Sequence, residues 1–250
     1  MSACSVILAT PEYPDIMALA KALAAIRRAP VQDQVHVAKR AWGIISEHLS
    51  EADAGTLVDS LRRAGIECRV VAGEAIAPLP PAETLLKMEA GVADSLALIA
   101  AAGYTVVSAV AGTGTEGPKS ALKIINAGIL LTTGLPIKLG GKERKGTKTH
   151  EVSETVYQID LVGGTPHRRW RVQASHFDYS FLKERKQYQS FANFKLLLGD
   201  LVAASPQAWR NRGTQAILSG QPLHTMGYET LADLEREAKW LLTLRSLGGT

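Results

Sequence analysis

With 250 residues, the chain has room for one large or two modest domains of about 100–150 residues each. Apolar residues make up 46% and charged ones 21%, ordinary globular proportions that exclude wholesale disorder. The net charge of +4 equals that of one stretch, where Lys138, Lys142, Arg144, Lys145 and Lys148 face Glu143 alone; the protein has one basic loop and is otherwise balanced.

The opening Met1-Ser2-Ala3-Cys4-Ser5 has no basic segment ahead of an apolar one, so no signal peptide is expected. Ser5 to Ala9 is a short apolar run that predicts a buried strand. Pro14 and Asp15 open a helix with Ile16, Leu19, Leu23 and Ile26 on one face, and Pro30 breaks it. Gln32 to Ala41 reads as a second helix and Gly43-Ile44-Ile45 as a strand. Ser50-Glu51-Ala52-Asp53 has the form of a capping box, placing a hydroxyl on an orphan amide with an acid three residues on. Leu57, Val58 and Leu61 then line a buried face, Gly65 sits where a left-handed cap belongs, and Ile66 to Val71 is a strand. The order β-α-α-β-α-β predicts a domain over residues 1–73, followed by a proline-rich linker over 74–83 that carries Pro78, Pro80 and Pro81.

These pieces resemble a known fold. Val6-Ile7-Leu8, Ala20-Lys21-Ala22-Leu23, Val37-Ala38-Lys39, Leu49-Ser50-Glu51-Ala52-Asp53 and Leu61-Arg62-Arg63-Ala64-Gly65-Ile66 are similar to the C-terminal domain of the bacterial ribosomal stalk protein. The adaptor that feeds the Clp protease shares that fold, and the segment from Val6-Ile7-Leu8 to Tyr13-Pro14 resembles its opening too. The resemblance covers about a quarter of the chain and implies a protein-contact module. The stalk domain uses a glycine-rich turn before its second helix. Here that turn reads Ala29-Pro30-Val31-Gln32, which leaves Lys21 and Lys39 as the matching basic positions for a partner.

Residues 84–250 read as a β-rich domain with two C-terminal helices, for which a small barrel or pleckstrin-homology-like sandwich is one expectation. Leu96 to Ala100 and Tyr104 to Val110, separated by Ala-Ala-Gly, suggest a hairpin. Ser95 to Thr115 carries no charge over 21 residues, but its Ala, Gly, Ser and Thr content favours buried strands over a membrane span. Leu122 to Leu131 is apolar, Thr155 to Val162 alternates, and Arg169 to Ala174 reads as a strand with Trp170 and Val172 on one face. Ser190 to Val202 places Phe191, Phe194, Leu197, Leu198 and Leu201 on one helical stripe, and Thr230-Leu231-Ala232-Asp233 is a second capping box. The segments Phe177-Asp178-Tyr179-Ser180, Asn193-Phe194, Asn211-Arg212-Gly213 and Gly227-Tyr228-Glu229 resemble a group of uncharacterised bacterial proteins, a likeness that implies no activity. The fold class is therefore α+β.

Catalytic signals are thin. Gly112-Thr113-Gly114-Thr115-Glu116-Gly117 matches G-x-G-x-x-G, so Gly112, Gly114, Gly117 and Lys119 are one candidate nucleotide loop. Pro118 breaks the phosphate-loop spacing, and no acid lies between Glu116 and Glu143 to hold a ribose, which favours a polar hairpin loop. His176-Phe177-Asp178 reads as a strand-end turn capped by Asp178, and the histidines fall singly, so no metal site is expected. Cys4 and Cys68 fall in predicted strands, as small buried hydrophobes do, and fit a reducing, cytoplasmic setting. Lys138, Lys142, Arg144, Lys145, Lys148, Arg168, Arg169 and Arg171 form a candidate polyanion-binding set, against the plainer reading of solvated loop and strand edges. The leading expectation is a cytoplasmic, non-enzymatic adaptor without cofactor, binding another protein or a second copy of itself. Nucleotide and nucleic-acid binding are the alternatives.

Overall fold

The computed structural model describes residues 3–89, 91–93, 95–112 and 148–248. Among the described residues the fold is mixed α+β with two sheets. The chain divides into two units, one built from residues 1–104 and 156–250 and the other from 105–155.

The first unit opens with β1 (Cys4–Leu8), α1 (Ile16–Arg27), α2 (Val31–Lys39), β2 (Ile44–Leu49), α3 (Glu51–Arg63) and β3 (Cys68–Ala72). Local chemistry sets these boundaries. Asp15 Oδ1 accepts from the Ala18 amide at 2.7 Å, Ser50 Oγ accepts from the Asp53 amide at 3.1 Å, and Gly65 takes φ +76° after α3. The strands form an antiparallel sheet in the order β2-β1-β3. Ser5, Val6, Ile7 and Leu8 are all buried, so β1 is covered on both faces, which an uninterrupted apolar strand requires.

The second sheet runs β4-β7-β6-β5-β8, from β4 (Ala82–Thr84), β5 (Leu96–Gly112), β6 (Lys148–Gly163), β7 (Arg168–Gln173) and β8 (Trp209–Arg210). Its order among the described residues is that of an open mixed sheet, with β4 parallel to β7, β8 parallel to β5, and β6 antiparallel to β7. The hairpin expected within 96–110 is instead one strand. Ala100, Ala101 and Ala102 are fully buried there because a helix N-terminus approaches closely: a Cβ on Gly213 would lie 1.9 Å from the Ala101 carbonyl oxygen. Small residues that resemble a turn are thus the clearance for a neighbour.

Four helices complete this unit: α4 (Ser190–Ala204), α5 (Arg212–Ser219), α6 (Leu223–Met226) and α7 (Leu231–Ser246). Phe194, Leu197, Leu198 and Leu201 of α4 are buried, as their stripe predicts, whereas Phe191 of the same stripe, in the first turn, is exposed. The Thr230–Asp233 capping box opens α7. That helix crosses the boundary expected between residues 73 and 84. The Trp240 indole donates to the Leu8 carbonyl at 3.1 Å, and Arg236 donates to the Ala41 and Ile44 carbonyls at 2.9 and 2.7 Å. Gly43, at φ +85°, leaves room for the Trp240 ring, which a Cβ would meet at 1.9 Å. The Ala77 amide, inside the proline-rich segment, donates to Thr243 Oγ1 at 2.9 Å.

The unit of 105–155 contains the later part of β5 and the earlier part of β6, with Val107 and Val152 exposed. Among the described residues, no helix is long and apolar enough to cross a membrane.

Candidate functional site

The residues that need most explanation gather around Arg212. Asn211 caps α5, its Oδ1 accepting from the Thr214 amide at 2.9 Å. The same side chain accepts from the Ala101 amide and donates to the Ala101 carbonyl, each at 2.9 Å, so it continues the β5–β8 ladder where β8 ends. Arg212, one residue on, lies with its guanidinium carbon 4.0 Å from the ring centroids of both Tyr13 and Trp42 and 5.4 Å from that of Tyr228. The Tyr13 and Trp42 planes meet at 73°, forming an aromatic corner for the cation, and Trp42 stacks on Tyr228 at 4.5 Å. Trp42 sits at φ 48°, the left-handed region that is costly for a bulky residue.

Beneath the rings lies Glu237, wholly buried. It accepts from the Tyr228 hydroxyl and from Asn211 Nδ2 at 2.9 Å, and its Oε1 is 3.9 Å from Arg212 Nε. Burial raises its carboxyl above the usual range, although Tyr228, Arg212 and Asn211 all pull the other way. Burial, then the Glu237 charge, push the Tyr228 and Tyr13 phenols well up. Tyr13 Oη and Arg212 Nε are both buried without a hydrogen-bond partner among the described residues.

No family model, curated protein or solved structure matches this chain.

A second feature is on the surface. Tyr188 is fully exposed, yet the segment carrying it is held: Asn193 Oδ1 accepts from the Gln187 amide at 2.6 Å while Nδ2 donates to the Gln187 carbonyl at 2.8 Å. Phe191, partly exposed, packs on Tyr157 with centroids 4.2 Å apart.

Lys21 and Lys39 are exposed, on α1 and α2. Arg168 is exposed and makes a fork to Glu83 at 3.1 and 2.6 Å. Arg171 makes the same fork to buried Asp160, 2.7 Å in each arm, and shares Glu235 with Arg169. Burial alone would lower the Arg171 guanidinium, but Asp160 and Glu235 hold it above its ordinary value. Arg169 and Arg171 are thus both paired with carboxylates in the fold. Gly112 ends β5 and Lys148 begins β6. Gly114, Gly117, Lys119, Lys138, Lys142, Arg144 and Lys145 lie outside the described residues, as does the apolar run Leu122 to Leu131. Asp178 caps its turn as expected, accepting from the Ser180 amide and hydroxyl at 2.9 Å each.

The Arg212 cluster is assembled from five separated stretches of chain, which hides it from any local motif. Its only traces were Tyr13-Pro14, Asn211-Arg212-Gly213 and Gly227-Tyr228-Glu229, visible as pieces of resemblance without a role.

Proposed function

We propose that the protein is a non-enzymatic binding or adaptor protein that contacts another protein through the surface carrying Tyr188 and Phe191. The carrying observation is that Tyr188 is fully solvent-exposed on a segment clamped at both backbone groups of Gln187. An aromatic anchor whose neighbouring backbone is fixed before binding loses less backbone entropy when buried, which helps an interface hot spot gain affinity. Lys183 and Lys186, either side of Glu184 and Arg185, precede it in the chain; with Arg185 paired to Asp200 they leave a small positive excess that suits an acidic partner face. The β-α-α-β-α-β order of the N-terminal elements, with Lys21 and Lys39 exposed, supports reading that segment as a second, stalk-like point of contact. The polar groups most suited to acid–base chemistry favour a structural role: Glu237 and Asn211 bind one another, a backbone amide and Tyr228.

Paired affinity capture tests this reading. A partner held by the wild type should be lost from Tyr188→Ala and Phe191→Ala, with binding weakened roughly thirtyfold for a hot spot of about 2 kcal/mol. Equal retention by the folded variants contradicts it.

A further inference from the structure

We propose that Arg212 is the receptor for an oxyanion, the carboxylate or phosphate group of a small ligand or modified chain. An arginine has five N–H donors, and a buried or half-buried one normally spends them on carboxylates or carbonyls. Arg171 and Arg236 do so here. Arg212 is fixed differently. The Tyr13 and Trp42 rings, at 4.0 Å each, hold its charge by contacts that consume no N–H group. Its side chain makes no hydrogen bond with any described residue, and the nearest carboxylate oxygen, on Glu237, stands 3.9 Å from Nε. Its side chain is 32% exposed overall, while Nε itself is buried.

Two further observations point the same way. Three buried side-chain atoms lack a hydrogen-bond partner among the described residues, and two of them, Arg212 Nε and Tyr13 Oη, belong to this cluster. Nε can only donate, so an acceptor is what satisfies it, and the Tyr13 hydroxyl can donate to the same acceptor. The surroundings are also rigid: Asn211 is pinned to β5, and Gly227, at φ +72°, passes close enough that its Cβ would lie 3.5 Å from Arg212 Nη2. A preorganised fork binds planar or tetrahedral oxyanions without first paying side-chain entropy. This inference does not depend on the Tyr188 surface.

The test uses the full chain labelled with nitrogen-15 arginine, because a buried Nε–H exchanges slowly enough to observe. Inorganic phosphate and acetate are titrated separately, each against sodium chloride at matched ionic strength. The expected result is a saturable movement of the Arg212 Nε–H resonance in at least one arm, while that of exposed Arg168 moves no more than in chloride. Saturation by phosphate alone marks a phosphoryl ligand; saturation by acetate alone marks a carboxylate. Arg212→Lys, which keeps the charge and loses the fork, should abolish saturation, and if that variant does not fold the wild-type titration decides by itself. No saturable movement in either arm, or equal movement of Arg168, overturns the proposal.

Discussion

The indole Nε1 of Trp42 donates to Oδ1 of Asp233 at 2.9 Å, tying the turn after α2 to the first turn of α7. Arg40 Nε reaches the same oxygen at 3.1 Å, while Asp233 Oδ2 accepts from the Glu229 and Thr230 amides. One carboxylate thereby caps a helix and holds Trp42 in its left-handed conformation beneath Arg212.

Asp233→Ala should therefore cost more than an ordinary cap. Loss of capping is worth about 1 kcal/mol, and stranding the buried Trp42 N–H adds about 1–3 kcal/mol. Ser50→Ala, at a cap with no such second duty, should cost only the first amount. Urea denaturation of both variants measures the difference.

The Asp160–Arg171 pair makes a second prediction. Asp160 is wholly buried, so Asp160→Ala leaves two guanidinium groups short of a counter-charge and should destabilise by about 3–5 kcal/mol. Replacing both partners, Asp160→Leu with Arg171→Met, should recover much of that loss, since a well-packed apolar pair avoids the desolvation of both ions. A double-mutant cycle in urea reads the coupling.

Much of this was legible beforehand, and the failures share a physical cause. Capping at Ser50 and Thr230 and the apolar stripe of α4 rest on contacts within a few residues, and each element forms as its local signals require. The continuous run Val6-Ile7-Leu8 even signals a strand buried on both faces. What escaped were relations between distant segments. Arg169 and Arg171 are two apart on β7 and so share a face; read alone they suggest a basic strand edge, and only the Asp160 partner on β6 and Glu235 on α7 make them internal. Ala-Ala-Gly at 101–103 suggests a turn until Gly213 is seen beside it. Arg212 draws on Tyr13, Trp42, Tyr228 and Glu237, whose separations no pattern of fixed spacing encodes.

Glu237 governs a pH effect. Its carboxyl titrates above the ordinary value of 4.5 in the fold, so between that pH and the raised value the folded state holds the extra proton. Stability then falls as pH rises through this window, because ionisation is easier in the unfolded chain. Glu237→Gln should flatten that slope. Urea midpoints of wild type and variant across the window measure it; parallel profiles would contradict the assignment.

The two cysteines should react unequally. Burial raises the Cys68 thiol to about 11, which leaves almost no thiolate near neutral pH, whereas Cys4 is only half-buried. Cys4 pairs with Ala72 across the β1–β3 ladder, four residues along β3 from Cys68, a separation of about 13 Å at ordinary strand rise that no disulfide bridges. Thiol titration of the native chain should show one accessible and one protected group, with both released in denaturant.

Site-specific photo-crosslinking in cells tests the binding function most directly. A photoreactive phenylalanine at position 188 should give a discrete adduct with a single partner, diminished by Phe191→Ala, while the same probe at exposed Glu51 on α3 gives none. Absence of an adduct at 188, or identical adducts at both positions, would contradict the assignment of this surface as the recognition face.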